Sequence, residues 1–255
     1  MYELITLGGI DLRGIAPAEP QALLSQPKRF ALLAYLALAR PQGIHRRSTL
    51  LGVFWPDLGA ERGRSALRQA VHRLRRSLGD GVIRSRGDEE IRLDASLFRC
   101  DAVCFEAAIG AGRLTEAVEL YQGPLLPGFF VDGASGFERW LEDERARLRA
   151  LAVAATWRLM AEAEAAGELS AAAVWARLAV HHSDHDECSY RRLIGLQSRI
   201  GDRVGAVSTY LQLCRRLAHD FDCAPSPETE ALLHSIRAHP RPTRTSTLRP
   251  RSVTL

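Results

Sequence analysis

Lysine is almost absent from this chain of 255 residues, which has Lys28 alone against 33 arginines. Arginine therefore fills nearly every basic position, and an arginine-rich surface means less here than in a protein of average composition. The five cysteines are odd in number and have no Cys-x-x-Cys spacing. This usage excludes a disulfide framework and favours reduced thiols in a cytosolic protein.

Several sequence features of other protein classes are also missing. No apolar run approaches the roughly 18 residues that cross a bilayer, and the amino terminus lacks a basic segment followed by an apolar one. A GxxxxGK[ST] phosphate loop is absent, and no nucleophile stands in a catalytic motif. We expect a cytoplasmic, nucleoid-associated protein that makes no membrane contact, has no cofactor and is not an enzyme.

The charges are segregated along the chain. Residues 1–96 carry 15 basic and 10 acidic side chains, whereas residues 101–235 carry 13 basic and 20 acidic ones. The length suits two domains, each able to bury a core. A basic first half followed by an acidic second half predicts a domain that faces nucleic acid, joined to one that meets another partner.

The segment 62–78 is the most informative part of the first half. Its apolar residues recur at helical spacing, so one stripe of a helix faces a core. The other side carries only polar and basic residues, namely Arg62, Ser65, Gln69, His72, Arg73 and Arg76, with Arg68 and Arg75 on a flank. Guanidinium groups match phosphates and guanine edges, and a glutamine amide pairs with adenine. A merely solvated helix face is the competing interpretation.

The neighbouring elements favour DNA. Short strands are predicted at 2–8 and 10–13, followed by a loop at Pro17 and Pro20. The remaining elements are a helix capped by Ser25 that stops before Pro41, a second helix from about His45 to Phe54, the helix 62–78, and a hairpin over 82–94 with its tip at Gly87-Asp88. This order is typical of a winged helix-turn-helix, whose third helix enters the major groove while the hairpin, or wing, contacts the backbone or minor groove.

The second half contains a spaced Gly-x4-Ala pattern, at 112–117, 167–172 and 201–206. The last two copies are 34 residues apart, which is the period of the tetratricopeptide repeat. Glycine permits a tight turn between two helices, and alanine lets them approach closely. We therefore predict an all-helical, tetratricopeptide-like domain over residues 97–238, with a disordered basic tail at 239–255.

Three segments of the first half, PKRFALLAYLAL at 27–38, LGVFWPD at 51–57 and SALRQAVHRLRRSLG at 65–79, resemble the DNA-binding half of SARP-type bacterial transcriptional activators. The segments QGPLLPGFF at 122–130, FERWLEDERARL at 137–148 and CAPSPETEAL at 223–232 resemble the bacterial transcriptional activator domain that follows it in that family. The resemblance runs from about residue 3 to residue 238. It implies a structural role for Trp55, and DNA contacts from the outward side chains of 62–76 and from the wing.

The predicted fold is mainly α, a winged helix-turn-helix domain over residues 1–96 followed by helical repeats. The predicted function is that of a sequence-specific regulator of transcription, an activator, bound to double-stranded promoter DNA. The resemblance also implies that the repeat domain contacts RNA polymerase or another transcription protein, with possible homodimers side by side on direct repeats. The predicted DNA-binding residues are Arg46, Arg47, Arg62, Ser65, Arg68, Gln69, His72, Arg73, Arg76, Arg84 and Arg86.

Two other functions remain as alternatives. In the first, the helical repeats make the protein an interaction adaptor and the winged helix contacts protein. The second is an enzyme, and it rests on the cluster of histidines, acids and a cysteine at His181–Cys188. That cluster lies at a junction between repeat helices, where polar loops are usual, so we predict no metal site there.

Overall fold

The chain begins with two antiparallel strands, as its alternating apolar residues predict. In the computed structural model, which describes residues 1–14, 26–183 and 186–238, β1 (Tyr2–Ile5) pairs with β2 (Asp11–Gly14). The predicted loop at Pro17 and Pro20, the capping residue Ser25 and the tail 239–255 lie outside the described residues. The chain divides into two units, Met1–Ser183 and Asp184–Leu255.

The three helices and the hairpin that follow have the predicted order. They are α1 (Pro27–Leu38), β3 (Ile44–Arg46), α2 (Arg47–Phe54), α3 (Ala60–Leu78), β4 (Ile83–Arg86) and β5 (Glu90–Leu93). Proline is in the first turn of α1, where its missing N–H costs nothing. The residue before the helix is Gln26, whose side chain makes no capping hydrogen bond. The winged helix-turn-helix is therefore confirmed, with α3 as its third helix.

The prediction for the second helix was wrong at its start. Residues 44–46 form β3, which pairs antiparallel with β5 so that His45 is opposite Ile91. The helix begins only at Arg47. Sequence periodicity missed this strand because three residues are too few to alternate visibly, and because its partner lies 46 residues further along the chain.

A short strand that the sequence did not predict joins the amino-terminal strands to the repeat helices of the first unit. Strand β6 (Phe98–Cys100) pairs in parallel with β1, giving the sheet order β2-β1-β6. It leads directly into α4 (Asp101–Gly110). The Asp101 carboxylate accepts hydrogen bonds from the backbone N–H groups of Thr6 (2.8 Å) and Leu7 (2.9 Å). The amino-terminal strands are thus bound to the first helix of the repeat region.

The Gly-x4-Ala pattern marks helix–turn–helix units, as predicted. The pairs are α4 with α5 (Leu114–Leu120), α6 (Ser135–Ala165) with α7 (Leu169–His182), and α8 (Glu187–Arg199) with α9 (Arg203–Phe221); α10 (Pro227–Ala238) follows. Gly112, Gly167 and Gly201 end the first helix of each pair with φ of 73°, 76° and 82°, a conformation that glycine adopts without strain. The alanine five residues after each glycine is fully buried. Over the described ranges, the chain is therefore mainly helical with two small sheets.

One hydrophobic core runs from the winged helix into the repeat helices of the first unit. Its buried residues form one contiguous cluster, and their positions in the chain range from Leu4 to Ala152. At its centre the ring of Phe54, from α2, lies 5.3 Å from that of Phe137, from α6, and 5.6 Å from that of Tyr35. The chain's compact units divide between residues 183 and 184, so the predicted change of domain at residue 97 remains a prediction.

Helix α6 also approaches the backbone of α2 closely. A Cβ atom at Gly136 would lie 2.9 Å from the Cα atom of Val53. We expect Gly136→Ala to lower the free energy of unfolding by about 1–3 kcal/mol, because backbone atoms cannot move aside as a side-chain end can. Urea denaturation measures this.

Gly195→Ala is the matched control, since nothing lies within 4 Å of the Cβ atom it would add. This change within a helix should be neutral or stabilising by up to about 1 kcal/mol. Equal behaviour of the two variants would show that α6 and α2 are not in tight contact.

The buried His182 predicts a loss of stability in acid. Its ring lies edge-on to that of Tyr121 at 5.0 Å, and its Nε2 atom has no hydrogen-bond partner. Burial, with a smaller effect from the charge of His181, lowers the pKa of His182 to about 4 from its ordinary value of 6.5. Between these two values the unfolded chain binds more protons than the folded one, so unfolding is favoured as the pH falls.

We expect the melting temperature of the wild type to decrease as the pH falls from about 6.5 to about 4. The decrease should be smaller in His182→Phe, whose ring does not titrate, than in the control His234→Phe at an exposed position. Calorimetry at several pH values measures this. Equal decreases in the two variants would contradict a neutral, buried His182.

Candidate nucleic-acid interface

Helix α3 has one buried face and one exposed face. Leu67, Ala70, Val71, Leu74 and Leu78 are buried, which confirms the predicted apolar stripe. All seven residues predicted to face DNA from this helix are exposed: Arg62, Ser65, Arg68, Gln69, His72, Arg73 and Arg76. After Glu61 in the first turn, the helix contains no acidic residue. This face can therefore offer amide and guanidinium donors to an anionic surface.

Arg75 fixes the orientation of the wing relative to α3. Its Nε donates to the carbonyl oxygen of Ile83 at 2.8 Å, and its Nη2 donates to Ser85 Oγ at 2.9 Å, both in β4. Only its place on the flank of the helix could be predicted from the sequence. Arg75 is a positioning residue, because two of its donors are occupied within the protein.

Arg47 is partly occupied in the same way. Its Nη2 donates to Ser85 Oγ at 3.3 Å, while its Nε is buried and has no partner. Burial, and then the positive charge of Arg75, lower the pKa of Arg47. Positive charge is therefore concentrated where α2, α3 and the wing meet.

An open cleft of about 710 Å³ lies at this junction. It is lined by Arg47 and Ser48 of α2, by Arg64 and Arg68 of α3, and by acidic residues 88 and 89 at the wing tip. Arg64 was not among the predicted residues, although its position four residues before Arg68 places both on one side of the helix. The cleft brings three guanidinium groups together beside the wing.

The wing arginines have acidic partners. The guanidinium of Arg84 lies 2.6 Å from the carboxylate of Asp94, and that of Arg86 lies 3.8 Å from that of Glu90. Both arginines are exposed, as is Arg46 at the end of β3. Ion pairs formed by exposed arginines contribute little to stability, so these arginines can exchange their carboxylate partners for a phosphate at little cost.

A second concave surface lies on the other flank of α3, toward the start of α1. It has a volume of about 320 Å³ and is lined by Lys28, Arg29, Trp55, Gln69 and Arg73, among others. The Lys28 Nζ lies 6.0 Å from the centre of the Trp55 ring and donates to the carbonyl oxygen of Gly133 at 3.1 Å. Trp55 is partly buried against the core. Its contacts agree with the structural role that the family resemblance implies.

The histidine-rich junction has a structural explanation in the described residues. His182 packs against Tyr121, and Asp186 caps α8 by accepting hydrogen bonds from the backbone N–H groups of Cys188 and Ser189, both at 3.1 Å. Residues 184 and 185 lie outside the description. Elsewhere in the described chain, no group of three or more histidine, cysteine or acidic side chains could hold a metal ion.

The five cysteines are all free thiols, as their number and spacing predict. The Cys100 thiol is buried beside Asp101, and burial raises its pKa to about 12. Among the described helices, none combines the length and the apolar character needed to cross a membrane.

Comparison with known proteins supports the assignment of the second half. The family model described as bacterial transcriptional activator domain matches residues 104–237, more than half of the chain. A search of the curated proteins finds no significant match.

A solved structure shares the fold. It is that of Mycobacterium tuberculosis EmbR in complex with a low-affinity phosphopeptide, which superposes with a TM-score of 0.59 at 22% sequence identity. The match covers 94% of this chain and 66% of the EmbR chain, so the present sequence spans slightly less than two thirds of that protein.

The winged helix, the helical repeats and the family match agree with one another. The fold similarity covers both halves of the chain, and the family match covers the repeats. Together with the sequence resemblance in the first half, they identify the family. The chain belongs to the SARP-type bacterial transcriptional activators, with a winged helix-turn-helix followed by a bacterial transcriptional activator domain.

Proposed function

We propose that this activator binds promoter DNA in a sequence-specific manner by inserting α3 into the major groove. The observation that carries the proposal is the exposed face of α3, which has no acidic residue after Glu61 and lies beside an arginine-lined cleft. A third helix presented in this way is the element that enters the groove in winged helix-turn-helix proteins.

The proposed contacts divide into base and phosphate contacts. On the exposed face of α3, Arg62, Ser65, Gln69, His72, Arg73 and Arg76 contact base edges or adjacent phosphates. Arg68 contacts the backbone from the cleft beside the wing, together with Arg46 and Arg47. Arg84 and Arg86 exchange their carboxylate partners for phosphates. Phosphate contacts supply affinity for any sequence, whereas base contacts supply discrimination.

The helical repeats then serve to contact the transcription machinery. Stacked helix pairs present a surface suited to another protein, and the acidic residues outnumber the basic ones over 101–235. Within the first unit, the shared core joins the DNA-binding helices to α6. A partner bound on these repeat helices is therefore held at a fixed position relative to the DNA.

Binding to direct repeats by protomers side by side is part of the proposal. Mapping of bound sites across the genome gives the operator, its repeat spacing and hence the number of protomers. A gel shift at two salt concentrations, with and without competitor DNA, separates this function from that of an adaptor. Binding to protein but not to any DNA would favour the adaptor.

Arg73 tests the base contacts. If it contacts a base in the operator obtained by genomic mapping, Arg73→Ala should cost about 1–3 kcal/mol of binding free energy and relax specificity at one position. Fluorescence anisotropy with the operator and with random duplexes measures both effects. The control is Arg158→Ala, which removes an exposed arginine from α6. Unchanged binding of Arg73→Ala to both duplexes would refute the proposed role of α3.

Arg68 and Arg75 test the difference between a phosphate contact and a positioning residue. Arg68→Gln should weaken binding to all sequences and lower the slope of log affinity against log salt by about one unit, at unchanged melting temperature. Arg75→Gln removes two internal hydrogen bonds and should lower the stability by about 1–3 kcal/mol. It should weaken DNA binding through a displaced wing. If Arg75→Gln left the stability unchanged and lowered the salt slope as Arg68→Gln does, Arg75 would be a phosphate contact.

A further inference from the structure

A mainly apolar cleft lies away from the proposed DNA contacts. Its volume is about 390 Å³, and none of the eleven predicted DNA-binding residues lines it. Its walls are mainly apolar: Leu36 comes from α1, Leu93 from the end of β5, Phe98 from β6 and Val103 from α4. Small-molecule sites are typically clefts of about 300–1,000 Å³ with mostly apolar walls and a few polar groups. This cleft has that size and that composition.

The polar groups of the cleft are few and include the guanidinium of Arg99. Arg99 of β6 is exposed at the wall, and its Nε donates to Cys104 Sγ at 3.2 Å. Its two terminal nitrogen atoms make no hydrogen bond to the described residues. The contact with Cys104, and then the charges of Glu3 and Glu116, raise the pKa of Arg99. The sulfur contact holds the guanidinium at the cleft and leaves the Nη atoms for an external acceptor.

We propose that this cleft binds a small amphipathic carboxylic acid. The apolar body of the ligand packs against Leu36, Leu93, Phe98 and Val103, and its carboxylate pairs with Arg99. A planar guanidinium binds a carboxylate through two parallel hydrogen bonds, which gives orientation as well as affinity. A sugar or nucleotide would leave its polar groups without partners on these walls.

The position of the cleft connects two functional parts of the first unit. Leu93 ends the strand whose neighbours are β3 and β4, so it belongs to the sheet that carries the wing. Val103 and Cys104 lie in the first helix of the repeat region. A ligand in the cleft would therefore contact the wing sheet and the first repeat helix at once. The binding site itself does not depend on the proposed DNA contacts, and it is tested without DNA.

The experiment uses the full chain and 2-naphthoate, an aromatic carboxylate, with 2-naphthamide as its uncharged counterpart. Isothermal titration should give saturable binding of naphthoate, one per chain. Val103→Trp fills the cleft and should abolish binding, whereas Val174→Trp, at an exposed position of α7, should retain it. Arg99→Gln should weaken naphthoate about tenfold or more and leave naphthamide unchanged. No saturable binding up to millimolar naphthoate, or equal affinity in Val103→Trp or Arg99→Gln, would overturn the proposal.

A second measurement uses the wild type alone, so it does not depend on the folding of any variant. Cys104 lines the cleft, while Cys188 and Cys223 are exposed elsewhere. Bound naphthoate should slow alkylation of Cys104 by iodoacetamide, measured by peptide mass spectrometry, and leave the other two rates unchanged. Naphthoate that binds without protecting Cys104 occupies another place, and the proposal fails. Neither result bears on the proposed DNA binding. Conversely, a loss of DNA binding in Arg73→Ala would leave the proposal for the cleft standing.

Discussion

The contact between α2 and α6 is the constraint on which the arrangement of the first unit depends. Phe54 and Phe137 stack with their ring centres 5.3 Å apart. Beside them, the ring centre of Trp140, in α6, lies 4.7 Å from that of Tyr35, in α1. Aromatic side chains bury large areas and prefer such offset or edge-on geometries. The absence of a side chain at Gly136 allows the two helix backbones to meet. As a result, helices α1–α3 of the winged helix and the repeat helices of the first unit share a single core.

Charged groups at the edge of this core reinforce the contact. The guanidinium groups of Arg40, after α1, and of Arg147, in α6, both pair with the carboxylate of Glu106 in α4. Arg147 also pairs with Glu144, and the side chains of both acids are about 90% buried. A buried carboxylate is costly to leave unpaired, so these pairs select one arrangement of the three helices. The acidic character of the second half is thus partly used in holding the structure together.

Most of the fold could be predicted from local sequence, and the exceptions have a common cause. The amphipathic helix α3, the hairpin β4–β5 and the three glycine turns each depend on residues close together in the chain. Strands β3 and β6 did not appear in the periodicity, because each has three residues and depends on a distant partner. Likewise, the outward residues of α3 followed from a helical wheel, but the hydrogen bonds of Arg75 depend on where the wing folds back. An arginine that holds the wing and one that is free for DNA have the same sequence pattern.

The pairing of the amino-terminal strands has a consequence for the order in which the molecule can form during synthesis. Strand β1 needs β6 beside it, Thr6 and Leu7 need the carboxylate of Asp101, and Leu7 forms a bridge with Leu125. The core that supports α2 also includes Phe137, Leu148 and Ala152. A nascent chain released only as far as residue 96 therefore contains every element of the winged helix but lacks its supports. The exposed face of α3 therefore has the full support of its core only once the chain as far as Ala152 in α6 is available.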